Sequence, residues 1–449
     1  MSHTRTLDAR LAGAIVGAVL LEAVLVLWAG TPAAEGAEAP VGQHGAAAMD
    51  VQLEQLDRLL PETDVGQAPA GFDPVIWAAF VPKDNELTPQ RVALGRKLYF
   101  DTRLSRDGTV SCATCHDVTR GFTDQRKVSE GVEGQLGTRN APTVLNTTLL
   151  ETLFLDGRSP TLDHQATMPI VNPIEMGMPD GAAAVKAIAG DAEYQKAFKE
   201  AYGREMNYED IGRAIGAFER VLVFIDSPFR RFLQGDRKAI SADARAGWDL
   251  FNGKARCMTC HPMNLSNPLG TDNRFHNIGV SARHQDFEEL AARALTVLKS
   301  DPSEKKLEEL ALSTPMGELG RFMVTKIRSD TGAFRTSILL NVGISPPYMH
   351  DGSLPTLWDV IDHYNKGGEA NAFLDGGMEP LALTETEIDQ IVAFLFTLTD
   401  QRLAADNARQ IAAQRKAARK SRAFRDDDLA FRRKLAFEDR VMGDKSPEK

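Results

Sequence analysis

From Asp73 to Asp400 apolar side chains recur at three- and four-residue intervals far more often than they alternate with polar ones. That spacing gives helices with one buried stripe, so the pattern predicts an all-α fold. Tyr208 to Ile225 carries Ile211, Ile215, Phe218 and Val221 or Leu222 on one stripe, ahead of a break at Asp226-Ser227-Pro228. Thr384 and Glu387 have capping-box spacing, and Ile388, Ile391, Val392 and Leu395 then share a face. Thr356 is placed to cap another helix, on which Leu357, Val360, Ile361 and Tyr364 follow i, i+3, i+4, i+7 spacing. Residues 281–314 read as a helical insertion with no recognisable chemistry.

The two ends break this pattern. Residues 11–29 are an apolar run behind Arg5 and Arg10, the layout of an export signal. Glu22 near its middle opposes a comfortable membrane span, since an acidic group there costs roughly 2.5–3.5 kcal/mol. Residues 1–36 are therefore assigned to a signal peptide or N-terminal anchor, and 37–72, rich in Ala, Gly, Pro and Glu, to a flexible linker. Residues 401–449 hold 14 Lys/Arg against 8 Asp/Glu and have the composition of an exposed, net basic helical extension. It is either a solvated charged helix or a docking arm for an acidic partner or a membrane surface.

Composition narrows the class. With 449 residues, 43% hydrophobic and 25% charged, the chain is long enough for about two or three folded domains. Its net charge of −10 becomes −16 without the extension, which argues against nucleic-acid binding. A weak repeat, Gly95 to Tyr99 and Gly247 to Phe251, stands before each of two cysteine pairs and suggests two related domains, 73–227 and 228–400.

The four cysteines decide the chemistry. Cys112-Ala-Thr-Cys115-His116 and Cys257-Met-Thr-Cys260-His261 match the c-type haem attachment pattern, two thiols for thioether links and an adjacent histidine for iron. One helical turn sets the thiols apart to meet the two vinyl groups. A zinc site, a redox pair or a structural disulfide are the competing readings. With 9 histidines in 449 residues, chance places one after both pairs roughly once in 2,500 cases.

The blocks LGRKLYFDTRLSRDGTVSCATCH, GTRNAPTVLN, DGRSPTLDHQA, NPIEMG, RFHNIGV, LGRFMVT, GAFRTS and PPYMHDGS follow in order within a stretch from about Leu87 to Leu398. They resemble the bacterial di-haem cytochrome c peroxidase family, which includes a MauG branch that oxidises a partner protein. The resemblance implies two cytochrome-c-like domains. The first holds a peroxide-binding haem, the second an electron-transfer haem, and a calcium ion lies between them. It implies His116 and His261 as proximal ligands, Glu175 as the acid–base group over the first haem, Gln165 as its distal neighbour, and Asn140 with the carbonyls of Ser345 and Pro347 as calcium ligands. It further implies hydrogen peroxide as substrate, a protein electron donor or an oxidisable protein partner, and a periplasmic location.

Three departures bear on the branch. Where the peroxidases carry an iron-capping histidine this chain has Val132, so the first haem is expected to be open. Counting from His350 puts Tyr364 where the peroxidases have a methionine ligand, as in the MauG branch, although a core tyrosine would show the same spacing; Met349 and Met378 are fallback ligands. Leu155 stands where a tryptophan usually lies between the haems. His276 is expected to be structural, bonded to a propionate or a carbonyl, His350 to be held near the calcium region or second haem, His164 to lie at the surface, and Trp248 and Trp358 to be core aromatics. The expected function is thus a MauG-like peroxidase. The alternatives are peroxide detoxification fed by a small cytochrome or cupredoxin, and a non-catalytic di-haem electron carrier.

Overall fold

The caps that the sequence offers are the ones that open the helices. Thr356 accepts from the Asp359 N–H while Asp359 reaches back, and Thr384 and Glu387 do the same, so both capping boxes are complete. The computed structural model describes residues 46–60, 65–69, 71–281 and 286–421. Its longer helices are α1 (Ala46–Leu59), α2 (Pro89–Tyr99), α3 (Gly181–Ala189), α4 (Ala192–Tyr202), α5 (Tyr208–Arg220) and α6 (Ala242–Asn252). There follow α7 (Phe287–Ser300), α8 (Glu304–Ala311), α9 (Leu357–Asn365), α10 (Glu385–Phe396) and α11 (Ala404–Ser421). The helical expectation is met, with one small addition: β1 (Phe275–His276) pairs antiparallel with β2 (Phe334–Arg335), Phe275 opposite Arg335. The expected export segment 1–36 and the end of the extension, 422–449, lie outside the described residues. No described helix is long and apolar enough to cross a membrane.

Two helix crossings frame the molecule, α2 on α5 and α6 on α10. A Cβ on Gly95 would lie 1.8 Å from the Ala214 carbonyl oxygen, and one on Gly247 1.9 Å from that of Gln390. Only glycine lets the backbones approach so closely. Gly95 and Gly247 open the two repeated segments, so the repeat marks the same crossing beside each cysteine pair. One apolar cluster gathers Leu94, Leu98, Ile211, Ile215 and Phe218 with their neighbours, another Phe251, Trp358, Ile388, Ile391 and Phe394. Both belong to a single compact unit of the described residues.

Three segments differ from expectation. The expected linker 37–72 contains α1, whose Leu56 and Leu59 are buried in the first cluster; Gln52 also takes the Val118 N–H at 3.1 Å. Met49, Leu53, Leu56 and Leu60 follow helical spacing beneath the alanine-rich composition. Helix α5 stops at Arg220 instead of Ile225, because the β-branched and aromatic run after it extends and bonds Asn146. Helix α11 is not simply a solvated rod: Leu403 just before it, and Ile411 and Ala418 within it, are buried. Gln414 on its inner face donates to the Gly343 carbonyl at 2.9 Å and accepts from the Leu357 N–H at 3.1 Å.

Candidate functional site

Each cysteine motif is one tight turn. Ser111 and Thr114 cap the turn Cys112–Cys115, and the His116 N–H returns to the Cys112 carbonyl at 2.9 Å. At the second motif the His261 N–H meets the Cys257 carbonyl at 2.8 Å. The same i, i+4 closure thus presents two thiols followed by a histidine, and all four cysteines are free of disulfides. His261 Nδ1 lies 2.7 Å from the Gly270 carbonyl, which only accepts. The proton is therefore on Nδ1, and Nε2 carries the lone pair a metal needs. His116 is buried, which pushes its pKa down and keeps it neutral, and the Tyr99 hydroxyl fixes its carbonyl at 2.8 Å.

A cavity of about 290 Å³ opens beside the first motif, lined by Cys112, Cys115 and His116 and also by Gln165, Glu175 and Glu219. Gln165 ends the short helix Leu162–Gln165, capped by Thr161. Glu175 sits in a loop held by Asn172, whose Oδ1 accepts the N–H groups of Ile174 and Glu175 at 2.9 and 3.3 Å. Burial, with a smaller push from Glu308, lifts the Glu175 pKa to about 7 against the pull of Arg158. His116 is the one histidine in the described lining. Val132 is fully buried in the apolar core, its side chain against Gly177, and its N–H meets the Glu175 carbonyl at 2.9 Å. Gly131 permits that approach, since a Cβ there would lie 1.9 Å from the Ile174 carbonyl oxygen.

The other expected residues are placed as follows. Tyr364 is buried near Cys257 and Cys260; burial first, then the thiols, push its hydroxyl pKa up. Asn140, Ser345 and Pro347 all line the cavity, and Asn140 Nδ2 donates to the Arg126 carbonyl at 2.8 Å, leaving Oδ1 for a cation. His276 has the structural role expected of it, with carboxylates as partners in place of a propionate or a carbonyl: its Nδ1 and Nε2 meet Asp375 at 2.6 Å and Asp272 at 3.1 Å. Met349, a fallback for the second iron, lines the first cavity instead, and Met378 packs against Gly368. His350 stacks on Phe334 and bonds Glu318 at 3.0 Å, while its carbonyl takes the Asn140 N–H at 2.9 Å. His164 turns to Ser159 and Glu304, away from the cavity. Trp358 is a core residue bonded to Asp389, and Trp248 packs among Phe229, Phe251 and Phe394.

A family model described as di-haem cytochrome c peroxidase matches residues 89–238. The methylamine utilization protein MauG of Methylorubrum extorquens is 37% identical over 321 residues, 71% of this chain and 80% of that protein. The chain belongs to the di-haem cytochrome c peroxidase family. Another member, the cytochrome-c peroxidase IdrP1 of Denitromonas iodatirespirans, is 34% identical over 71% of this chain and 84% of its own. Among solved structures of the family's fold, a MauG-like protein associated with microbial copper homeostasis superposes with TM-score 0.60 at 32% identity, covering 72% of this chain and 92% of that one. The enzyme class that follows is a peroxidase-type oxidoreductase.

The residues present fit the family's haem. Arg335 lines the cavity with its Nη1 buried and without a hydrogen-bond partner among the described residues, as suits a guanidinium awaiting a propionate. Glu219, also in the lining, is pushed up to about 8 by burial and so presents a neutral carboxyl. Sequence reasoning passed over both, together with Arg158 and Glu308. Glu219 left a trace, a charged residue four positions after Ile215 on the apolar face of α5. Arg335 left none, since its burial depends on the β1–β2 ribbon.

Proposed function

We propose that this chain is an exported MauG-like di-haem peroxidase: hydrogen peroxide reacts at the first site, and electrons pass singly to or from a protein partner through the second. The carrying observation is the cavity, in which Glu175 and Gln165 share the lining with the Cys112–His116 motif and His116 is the one histidine among the described lining residues. Cys112, Cys115 and His116 hold the first haem; Cys257, Cys260, His261 and the Tyr364 hydroxyl hold the second. Bound there, the haems supply an iron open to peroxide and a one-electron relay.

The rest is done by side chains. Near pH 7 the Glu175 carboxyl is about half ionised. It takes a proton from one peroxide oxygen and returns it to the other, which the heterolysis of an O–O bond requires. Gln165 offers a donor and an acceptor that orient the substrate. Arg158, held between Asp156 and Glu308, keeps a fixed positive charge near the leaving oxygen, which takes up that proton and departs as water.

Residues 73–227 form the peroxidatic domain and 228–400 the electron-transfer domain. Asn140 from the first, with the carbonyls of Ser345 and Pro347 from the second, supplies oxygen ligands for one calcium ion. Residues 11–29 and covalent haem attachment favour the periplasm.

The test is low-temperature EPR and visible spectroscopy of the purified diferric protein before and after one equivalent of hydrogen peroxide, without reductant. A high-spin signal that vanishes promptly supports an open first site, and Tyr364→Met then alters the low-spin partner. Leu155 favours a second reading, a detoxifying peroxidase fed by a small cytochrome or cupredoxin. It lines the cavity and its carbonyl takes the Arg335 N–H at 2.7 Å, so this contact between residues 73–227 and 228–400 carries no oxidisable ring at position 155. Two low-spin haems, inert until one electron is added, select that reading. Inertness in every state selects the electron carrier.

A further inference from the structure

The helical insertion reaches the proposed site. Helices α7 and α8 have an apolar core of their own, with Phe287, Leu290, Leu298 and Leu310, and are stitched to the wall of the first cavity. The Thr138 hydroxyl donates to the Leu312 carbonyl at 2.9 Å, and Arg139 Nη2 donates to the Ala311 carbonyl at 3.0 Å. Glu308 goes deepest. Its carboxylate accepts from Arg158 Nε at 2.6 Å and Nη2 at 3.2 Å, a bidentate pair with both side chains largely buried. The same carboxylate accepts from Asn172 Nδ2 at 3.3 Å, and the other end of that amide holds the backbone N–H groups of Ile174 and Glu175.

We propose that Glu308 is a positioning residue for Glu175, fastening both the asparagine that holds the Glu175 backbone and the arginine that faces its carboxyl. The proposal rests on the reading of Glu175 as the acid–base group. Through Asn172, Glu308 sets where the carboxyl stands. Through charge it sets when the carboxyl ionises: it opposes ionisation directly and also occupies Arg158, the cation that would promote it. Both effects have the same sign, so removing the negative charge makes Glu175 a stronger acid. The remaining groups facing Glu175 are the thiols of Cys112 and Cys115, which carry no charge once they are thioethers. Asp156 and Arg139 continue the Arg158 network, and Arg335 and Glu219 share the cavity.

The test mixes purified diferric holoprotein with hydrogen peroxide from about pH 5 to about pH 9 and times the loss of high-spin absorbance, for the wild type, Glu308→Gln, Glu308→Asp and Glu175→Gln. Glu308→Gln is expected to lower the midpoint of the pH profile by about one unit, a tenfold change in proton affinity. Glu308→Asp keeps the charge on Arg158 but is too short to reach Asn172 as well, so it is expected to keep the midpoint and slow the reaction several-fold at every pH. A Glu308→Gln midpoint within about 0.2 of the wild type, or wild-type rates in Glu308→Asp, overturns the proposal even if the variant melts earlier. If Glu308→Gln fails to retain both haems, the rate of Glu308→Asp decides alone. A fast Glu175→Gln sinks the reading of Glu175 itself, and this proposal with it. A slow Glu175→Gln beside an unshifted Glu308→Gln sinks this proposal only.

Discussion

Two buried carboxyls with opposite duties share the first cavity. Glu175 titrates near neutrality because burial and Glu308 oppose its charge while Arg158 favours it. Glu175→Gln keeps the shape and loses the proton, so peroxide reactivity should fall by roughly two to four orders of magnitude in stopped-flow traces. In the wild type, reactivity should rise with pH through about 7, as the base form appears. Glu219 is lifted to about 8 by burial, ahead of the opposing effect of Arg220. A raised carboxyl pKa stabilises the fold fully below the ordinary carboxylate range, and that contribution is lost as pH rises through the folded value. Denaturant midpoints should therefore fall between about pH 5 and pH 9, and Glu219→Gln should flatten part of that fall. The haem-attachment residues were legible because their chemistry is tied to a fixed short spacing. Glu308 and Arg335 were not, because each matters through a partner more than a hundred residues away in the chain.

Caps, stripes and close crossings do the work among the helices. The openings of α9 and α10 were readable because a capping box is written in four consecutive residues. The end of α5 was not, since it is set by Asn146, far upstream. Helix α1 escaped notice because its alanine-rich start resembles a tether and its apolar stripe emerges only at Met49. Gly247 is a sharp test of the paired framework: its α hydrogen faces the Gln390 carbonyl, so Gly247→Ala forces α6 off α10. Overpacking of this kind costs about 1–3 kcal/mol or more. Thermal melting of Gly247→Ala should show that loss, with Gly95→Ala showing the same at the other crossing.

The whole molecule is closed by its last described helix. Gln414 on α11 serves three groups at once, the Gly343 carbonyl, the Leu357 N–H and the Tyr348 hydroxyl. Nearby, Gln410 bonds Gln125, beyond the first motif. Gln414→Leu leaves the buried Gly343 carbonyl and Leu357 N–H without that partner at about 1–3 kcal/mol each, while the Tyr348 hydroxyl keeps the Val342 carbonyl, and a lowered unfolding midpoint with both haems retained is the expected result. If calcium joins Asn140 to Ser345 and Pro347, a chelator should lower the same midpoint in the wild type. Compositional reading left this helix as either a solvated rod or a docking arm because, Ile411 apart, its buried positions are Asp406, Asn407, Gln414 and Ala418, which carry little hydrophobic signal. Its place in the chain has a consequence for biogenesis. A polypeptide is made from its amino end, so both Cys-x-x-Cys-His motifs are finished while α11 is still unmade. Throughout that interval Gly343, Tyr348 and Leu357 lack the bonds that Gln414 supplies. A chain that stops before Ala404 therefore leaves the stretch from Gly343 to Leu357 unclasped, which makes the carboxyl-terminal helix the last step in completing the fold.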